Sequence, residues 1–212
     1  MLNEKIAHSL DLVRDAVEKY PKIGVACSFG KDSAVVVHLA QTVKEDIPVF
    51  AVMTRFKPKE TFEYKDMLIK EWNLNLKEYS SDVEIPEELY KTDPDECCRL
   101  LKVEPTKEAV KDMDCWICGL RSTEGRTRTD YEEIEFKGGL VKLNPILTWT
   151  EVDIWKYMAV NKIPVHPLYL QGYRSLGCSP CSNPGGELER DGRWKGTSKC
   201  GGECGIHTQD LK

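Results

Sequence analysis

The chain has 212 residues, enough for one sizeable hydrophobic core and too few for two full enzyme domains. A formal net charge of −5 and a pI near 5.5 argue against a chain whose main task is to bind long nucleic acid, which needs a surplus of Lys and Arg, but a local basic cluster could still hold a small anion. No stretch approaches the roughly 18 apolar residues of a membrane span, and the amphipathic N-terminus lacks an apolar leader, so a cytoplasmic chain that does not enter a membrane is expected.

An amphipathic helix is predicted over residues 3–19, ending at Tyr20-Pro21, followed by a buried strand over 22–27. Ser28 to Ser33 reads as a loop and 34–42 as a helix. A second strand at 48–53, a helix at 60–72 and a third strand at 76–79 complete a strand-helix alternation. That alternation specifies an α/β fold, a single domain whose mainly parallel twisted sheet is flanked by helices. A short helix is predicted near Pro105, a strand at 140–143, and a helix over 151–161 capped by Thr150. From Pro164 onward Gly and Pro are frequent and hydrophobic periodicity is lost. Residues 1–163 are therefore read as the α/β part, and 164–212 as a loop-rich C-terminal segment of the same domain that contributes to a site.

Nine cysteines are many for a reducing compartment, where metal binding or catalysis is a more common use than disulfides. They fall as Cys27, the adjacent Cys97 and Cys98, Cys115-Trp-Ile-Cys118, Cys178-Ser-Pro-Cys181, Cys200 and Cys204. Four thiolates complete a 4Fe-4S ligand set, but tetrahedral zinc and a redox pair use similar spacings, and spacing does not choose among them. Adjacent cysteines that turn toward one centre need an unusual local backbone.

A loop between a buried strand and a helix N-terminus offers backbone N–H groups and a positive dipole end to an anion. Ser28-Phe29-Gly30-Lys31-Asp32-Ser33 has that placement and resembles the Ser-Gly-Gly-x-Asp-Ser loop of the adenine-nucleotide alpha hydrolase-like superfamily. The simpler alternative is a turn in which Ser28 only caps the helix.

Four further stretches occur in order: Cys97-Cys98-Arg99-Leu100-Leu101-Lys102-Val103-Glu104-Pro105, Gly177-Cys178-Ser179-Pro180-Cys181, Arg190-Asp191-Gly192-Arg193-Trp194 and Glu203-Cys204-Gly205-Ile206-His207. Together they resemble the signature of assimilatory adenosine phosphosulfate reductases. The resemblance implies a 4Fe-4S cluster on Cys97, Cys98, Cys178 and Cys181, with Lys102 beside it. It implies Cys204 as the nucleophile of an S-sulfocysteine route, with Arg190, Arg193 and His207 around it. Of the basic run Arg121, Arg126 and Arg128, the last is the expected substrate contact. The implied substrate is adenosine 5′-phosphosulfate, with its 3′-phosphorylated form as the alternative. The implied reductant is thioredoxin or a similar dithiol protein, and a homo-oligomer remains open.

Three features depart from that family. Lys31-Asp32-Ser33 is fuller than its usual loop and keeps ATP-dependent sulfur or adenylyl transfer to nucleic acid as an alternative. Met53-Thr54-Arg55 replaces an Asp-Thr-Gly turn. Cys115 and Cys118 add a cysteine pair that could bind zinc, form a redox couple or simply be buried.

Overall fold

The structure is a computed structural model that describes residues 1–200 and 202–212, all but the side chain of Arg126. Short apolar runs form its centre. Strand β1 (Ile23–Ala26) lies between β2 (Val49–Val52) and β4 (Cys115–Ile117), parallel to both. Strand β3 (Leu76–Tyr79) pairs with β2, and β6 (Leu140–Leu143) pairs with β4, again in parallel. The edge strand β5 (Ile134–Lys137) runs antiparallel to β6, which gives the order β3-β2-β1-β4-β6-β5.

Helices cover both faces, so the central strands are buried on both sides and lack polar alternation. Val13 and Ala16 of α1 (Leu2–Lys19), most of α2 (Lys31–Val43), Tyr64 and Leu68 of α3 (Lys59–Trp72), and Ile154 and Met158 of α7 (Glu151–Val160) pack against Val25, Val49 and Leu143. On the other face Phe50 and Trp116 meet Ala109 and Val110 of α6 (Glu104–Val110). Between α3 and α6 the chain forms the single-turn helix α4 (Leu89–Thr92) and then α5 (Pro94–Cys98). Asp93 caps α5 by accepting the Glu96 amide at 2.9 Å. Among the described residues no helix is long and apolar enough to cross a membrane.

The expected α/β sheet is present, with two strands beyond those anticipated, β4 and β5. The second helix begins at Lys31 and not at residue 34: Gly30 is its extended N-cap (φ −83°, ψ 164°), and Asp32 lies in the first turn, where a carboxylate suits the helix dipole. The adjacent cysteines do have an unusual backbone. Helix α5 runs into a π-helical turn at Arg99–Val103 and on into α6, and this wider winding reorients successive side chains.

Strand order reverses between β1 and β4, because β2 and β3 extend the sheet one way and β6 and β5 the other. At such a switch point the connections leave in opposite directions and open a crevice at the carboxyl ends of the strands. Gly119, just past β4, lies so close to the start of α2 that a Cβ there would fall 2.9 Å from Asp32 C and Ser33 N.

Candidate active site

The crevice holds a cavity of about 190 Å³. Ser28, Gly30, Asp32 and Ser33 line its floor, Phe50 and Trp116 supply apolar walls, and the C-terminal segment closes it with Arg190, Arg193, Glu203, Cys204 and His207. Ser28 does not cap α2. Its amide donates to Ser33 Oγ at 3.2 Å, its hydroxyl lies 3.2 Å from the same oxygen, and Ser33 Oγ donates to Gly30 O at 3.0 Å. The loop is thus tied to itself at the positive end of a helix, an arrangement suited to an anion.

The side chains of Phe29 and Lys31 point elsewhere. Phe29 is fully buried in the core and adopts φ +65° at the position where the resembling loop has glycine. Lys31 Nζ donates to Glu189 at 2.7 Å and to Arg174 O at 2.8 Å, while its amide is held by the Tyr169 hydroxyl. Arg121, fully buried, pairs with Asp32 at 2.5 Å and with Glu189. The full Lys-Asp-Ser run therefore builds a buried ion network behind the cavity: its lysine is neutralised by a carboxylate and does not face a ligand.

The cavity cations fall into two groups. Arg128 and Arg190 are ion-paired: both contact Glu124, and both contact Glu203 on the C-terminal segment, with Arg190 3.0 Å from Glu203. Burial alone would raise the Glu203 carboxyl, but the hydrogen bond from Arg128 and the charges of Arg128 and Arg190 push it down to about 2. Lys57, Lys102 and Arg193 also line the cavity, and among the described residues none has a carboxylate within 4.0 Å. Lys57 Nζ and Arg193 Nη1 donate only to carbonyls, Ser28 O at 3.0 Å and Leu176 O at 2.9 Å. Burial, then the like charge of Lys102, lowers Lys57 to about 8. Burial opposes the charge on Lys102 too, but the sulfurs of Cys178, Cys204 and Cys98 hold it above the ordinary lysine range.

Cys204 precedes the single-turn helix α8 (Gly205–Thr208), and its amide donates to Glu203 Oε1 at 2.8 Å. Lys102 places positive charge close to the Cys204 sulfur, which favours its thiolate. A thiolate is the reactive form of cysteine. His207 stacks on Trp116 at 6.4 Å, and its buried Nδ1 has no partner among the described residues. Burial and the charge of Arg128 keep the ring neutral.

Beside this cavity, Cys97, Cys98, Cys178 and Cys181 line a smaller one, all four buried and none in a disulfide. A single zinc ion on four thiolates at 2.3 Å brings the sulfurs to about 3.8 Å from one another. These thiols are not drawn together in that way. Among the described residues, only the oxygens of Asp32, Glu124 and Glu189 form a group of three or more potential ligands within 4.8 Å of one another. Four thiols around one small cavity, not gathered as tightly as zinc requires, have the donor chemistry of a 4Fe-4S ligand set. Among the described residues, two buried polar atoms beside them lack a partner: Trp194 Nε1, on a residue packed against Cys178 and Cys181, and the hydroxyl of Ser182, next in sequence to Cys181.

Cys115 and Cys118 do not form a comparable pair. Cys115 belongs to the core under α2, whereas Cys118 packs on the opposite face and donates to Asn144 Oδ1 at 2.9 Å. A strand places residues three apart on opposite faces, and both thiols are simply buried. Sequence reasoning missed Lys57, Glu124 and the clasp made by Glu203. Lys57 stands alone in a turn, and the two glutamates gain meaning only from the arginines that the fold brings to them. The Arg126 side chain lies outside the described residues.

Residues 22–184 match the phosphoadenosine phosphosulfate reductase domain. Similar proteins include an adenosine 5′-phosphosulfate reductase of Lysinibacillus sphaericus, 33% identical over 97% of this chain and 93% of its own length. Adenosine 5′-phosphosulfate reductase 1 of Bacillus subtilis is 36% identical over 86% and 82%. Among solved structures, phosphoadenylyl-sulfate reductase from Candida auris superposes with a TM-score of 0.71 at 22% identity, over 81% of this chain and 88% of that one. FMN adenylyltransferase from Candida glabrata gives 0.67 at 14% identity, over 100% of this chain and 80% of that one, so these superpositions speak for the fold alone. The length of the match and the identity to the curated relatives establish that the chain belongs to the phosphoadenosine phosphosulfate reductase domain family.

Proposed function

We propose that this chain reduces adenosine 5′-phosphosulfate to sulfite and AMP in sulfate assimilation, with Cys204 as the nucleophile. One juxtaposition carries the reading: the half-buried Cys204 thiol shares a cavity with cations that have no carboxylate partner and with the loop that opens α2. The relatives named for this substrate favour it over the 3′-phosphorylated nucleotide. The loop feature that kept ATP chemistry open, Lys31, is spent on Glu189.

The Cys204 thiolate attacks the sulfonate sulfur. A sulfur–sulfur bond forms as the bond from sulfur to the bridging oxygen breaks, and AMP leaves with that electron pair. Attack of one anion on another requires nearby positive charge, and Lys102 and Arg193 supply it at the reacting end. His207 presents its orphaned nitrogen to the substrate. The enzyme is left as the S-sulfocysteine. A dithiol protein of the thioredoxin type then attacks the Cys204 sulfur and expels sulfite. Its second thiol resolves the mixed disulfide, so the reductant ends as a disulfide and Cys204 is restored. The C-terminal segment must open for that second step, which assigns residues 164–212 a closing and reopening role. A 4Fe-4S cluster on Cys97, Cys98, Cys178 and Cys181 would supply a polarisable charge behind Lys102. We place the enzyme in the cytoplasm, where a dithiol reductant is maintained.

Anaerobic incubation with 35S-labelled adenosine 5′-phosphosulfate, without reductant, tests the route on a non-reducing gel. Label on the wild type but not on Cys204→Ser, released as sulfite by thioredoxin, is the expected result. An unlabelled wild type would overturn it.

A further inference from the structure

We propose that Lys57 is a third cation of the phosphosulfate subsite and a determinant of this chain's affinity for its anionic substrate. The inference rests on the reading of the substrate given above. It starts from the turn after β2, where Met53-Thr54-Arg55 replaces the Asp-Thr-Gly expected from the resemblance. Two residues further on, the chain turns a lysine side chain into the cavity.

Three observations converge on this residue. First, Lys57 Nζ is held in place by Ser28 O at 3.0 Å, on the loop that opens α2. The ammonium group is thus fixed at the anion-binding end of the helix, with two further donors to offer a ligand. Second, Lys57 belongs to the group of cavity cations that has no carboxylate partner, together with Lys102 and Arg193. Arg128 and Arg190, by contrast, are already neutralised by Glu124 and Glu203. Three like charges facing one low-dielectric cavity repel one another unless an anion joins them, and a phosphosulfate brings two negative charges. Third, the same three cations flank Cys178 and the approach to Cys204, so an anion held among them lies beside the nucleophile.

The role is specific to the anion. Adenosine carries no charge for Lys57 to meet, whereas AMP and adenosine 5′-phosphosulfate each carry up to about two, gathered on one phosphate in AMP and spread over phosphate and sulfonate in the substrate. Losing a charge-assisted hydrogen bond within a buried site weakens binding by roughly 10- to 100-fold.

The test measures equilibrium binding of adenosine 5′-phosphosulfate, AMP and adenosine to cluster-loaded protein carrying Cys204→Ser, which blocks turnover. Lys57 is left intact or changed to Met or Arg. The expected result is a 10- to 100-fold loss of adenosine 5′-phosphosulfate affinity in Lys57→Met, a loss for AMP as well, none for adenosine, and recovery of most of the affinity in Lys57→Arg. Unchanged affinity in Lys57→Met overturns the proposal, as does an equal loss for adenosine or an arginine variant no better than the methionine one. Turnover of labelled substrate by protein with Cys204 intact separates the two readings. Absent turnover with a charge-dependent loss of affinity removes the reductase assignment and keeps Lys57 in the anion site. Turnover with unaltered affinity does the reverse.

Discussion

Arg128 holds Glu203 with two nitrogens of one guanidinium, Nε to Oε2 at 2.5 Å and Nη2 to Oε1 at 3.0 Å, so the residue before Cys204 is clamped to the body of the fold. The pair is almost fully buried, at 6% and 5% side-chain exposure, and Arg190 adds a third bond at 3.0 Å. Because Glu203 also accepts the Cys204 amide, the clamp fixes where the thiol sits. Changing Glu203 to Gln keeps the shape but removes the charge, and leaves two buried guanidiniums short of a partner. Truncating one member of such a buried pair typically costs about 3–5 kcal/mol. Some of that cost will fall on closure of the C-terminal segment. We expect Glu203→Gln to lower kcat/KM by roughly 10-fold or more and to speed alkylation of Cys204 by iodoacetamide. Alkylation at the wild-type rate would mean that the clamp does not hold the segment shut.

Gly119 controls the approach of β4 to the loop that opens α2. A methyl group there would meet the backbone of Asp32 and Ser33 at 2.9 Å, and backbone cannot turn aside as a flexible side chain can. Gly119→Ala should therefore destabilise the fold by about 1–3 kcal/mol, the usual cost of overpacking, and should displace the start of α2. Thermal unfolding and nucleotide affinity read the two effects. A variant with wild-type melting temperature and affinity would show that the loop yields without cost.

Phe29 sets two effects against each other. Its left-handed backbone, φ +65°, costs about 1–3 kcal/mol for a residue with a Cβ, and glycine would remove that strain. Its ring is fully buried among core residues, and deleting a buried aromatic side chain costs about 3–5 kcal/mol. Burial wins, so Phe29→Gly is expected to be less stable than wild type by denaturant unfolding. A more stable variant would show that strain dominates at this turn.

The first strand, the loop and the second helix were legible because each has its own local signal: a β-branched apolar run, a glycine and a serine-bounded turn. Strand β4 was not. Its three residues, Cys115 to Ile117, are too few to show a period, and the Cys-x-x-Cys spacing suggested a metal or redox pair. Read as a strand, the same spacing would have placed the two thiols on opposite faces. The need for an odd backbone at Cys97 and Cys98 could be inferred, but its form, a π-helical turn, could not, since that winding depends on tertiary packing. The ordered motifs pointed to Cys204, Lys102 and the arginines that now share a cavity. They did not reveal which cations were already neutralised, because Glu124 reaches Arg190 across 66 residues of sequence.

His166 ties the C-terminal segment to α3 and makes the fold sensitive to mild acid. It is 1% exposed, its Nε2 lies 3.0 Å from Thr61 Oγ1, and its Nδ1 accepts the Leu168 amide, a role open only to the uncharged ring. Burial, and then the charge of Lys57, lower it to about 4. In the unfolded chain the same group titrates near ~6.5. Between those values the unfolded state binds more protons than the folded one, so stability falls as pH falls. The contribution is complete above about pH 6.5, declines through the interval, and levels off below about pH 4, a total of up to about 3 kcal/mol. Denaturant unfolding at pH 7.5 and pH 5 should therefore show a larger loss in wild type than in His166→Gln, which cannot acquire the charge. The difference expected over that range is about 2 kcal/mol. Parallel losses in the two proteins would mean that the folded ring takes up the proton as readily as the unfolded one, so that burial at this position does not oppose the charge.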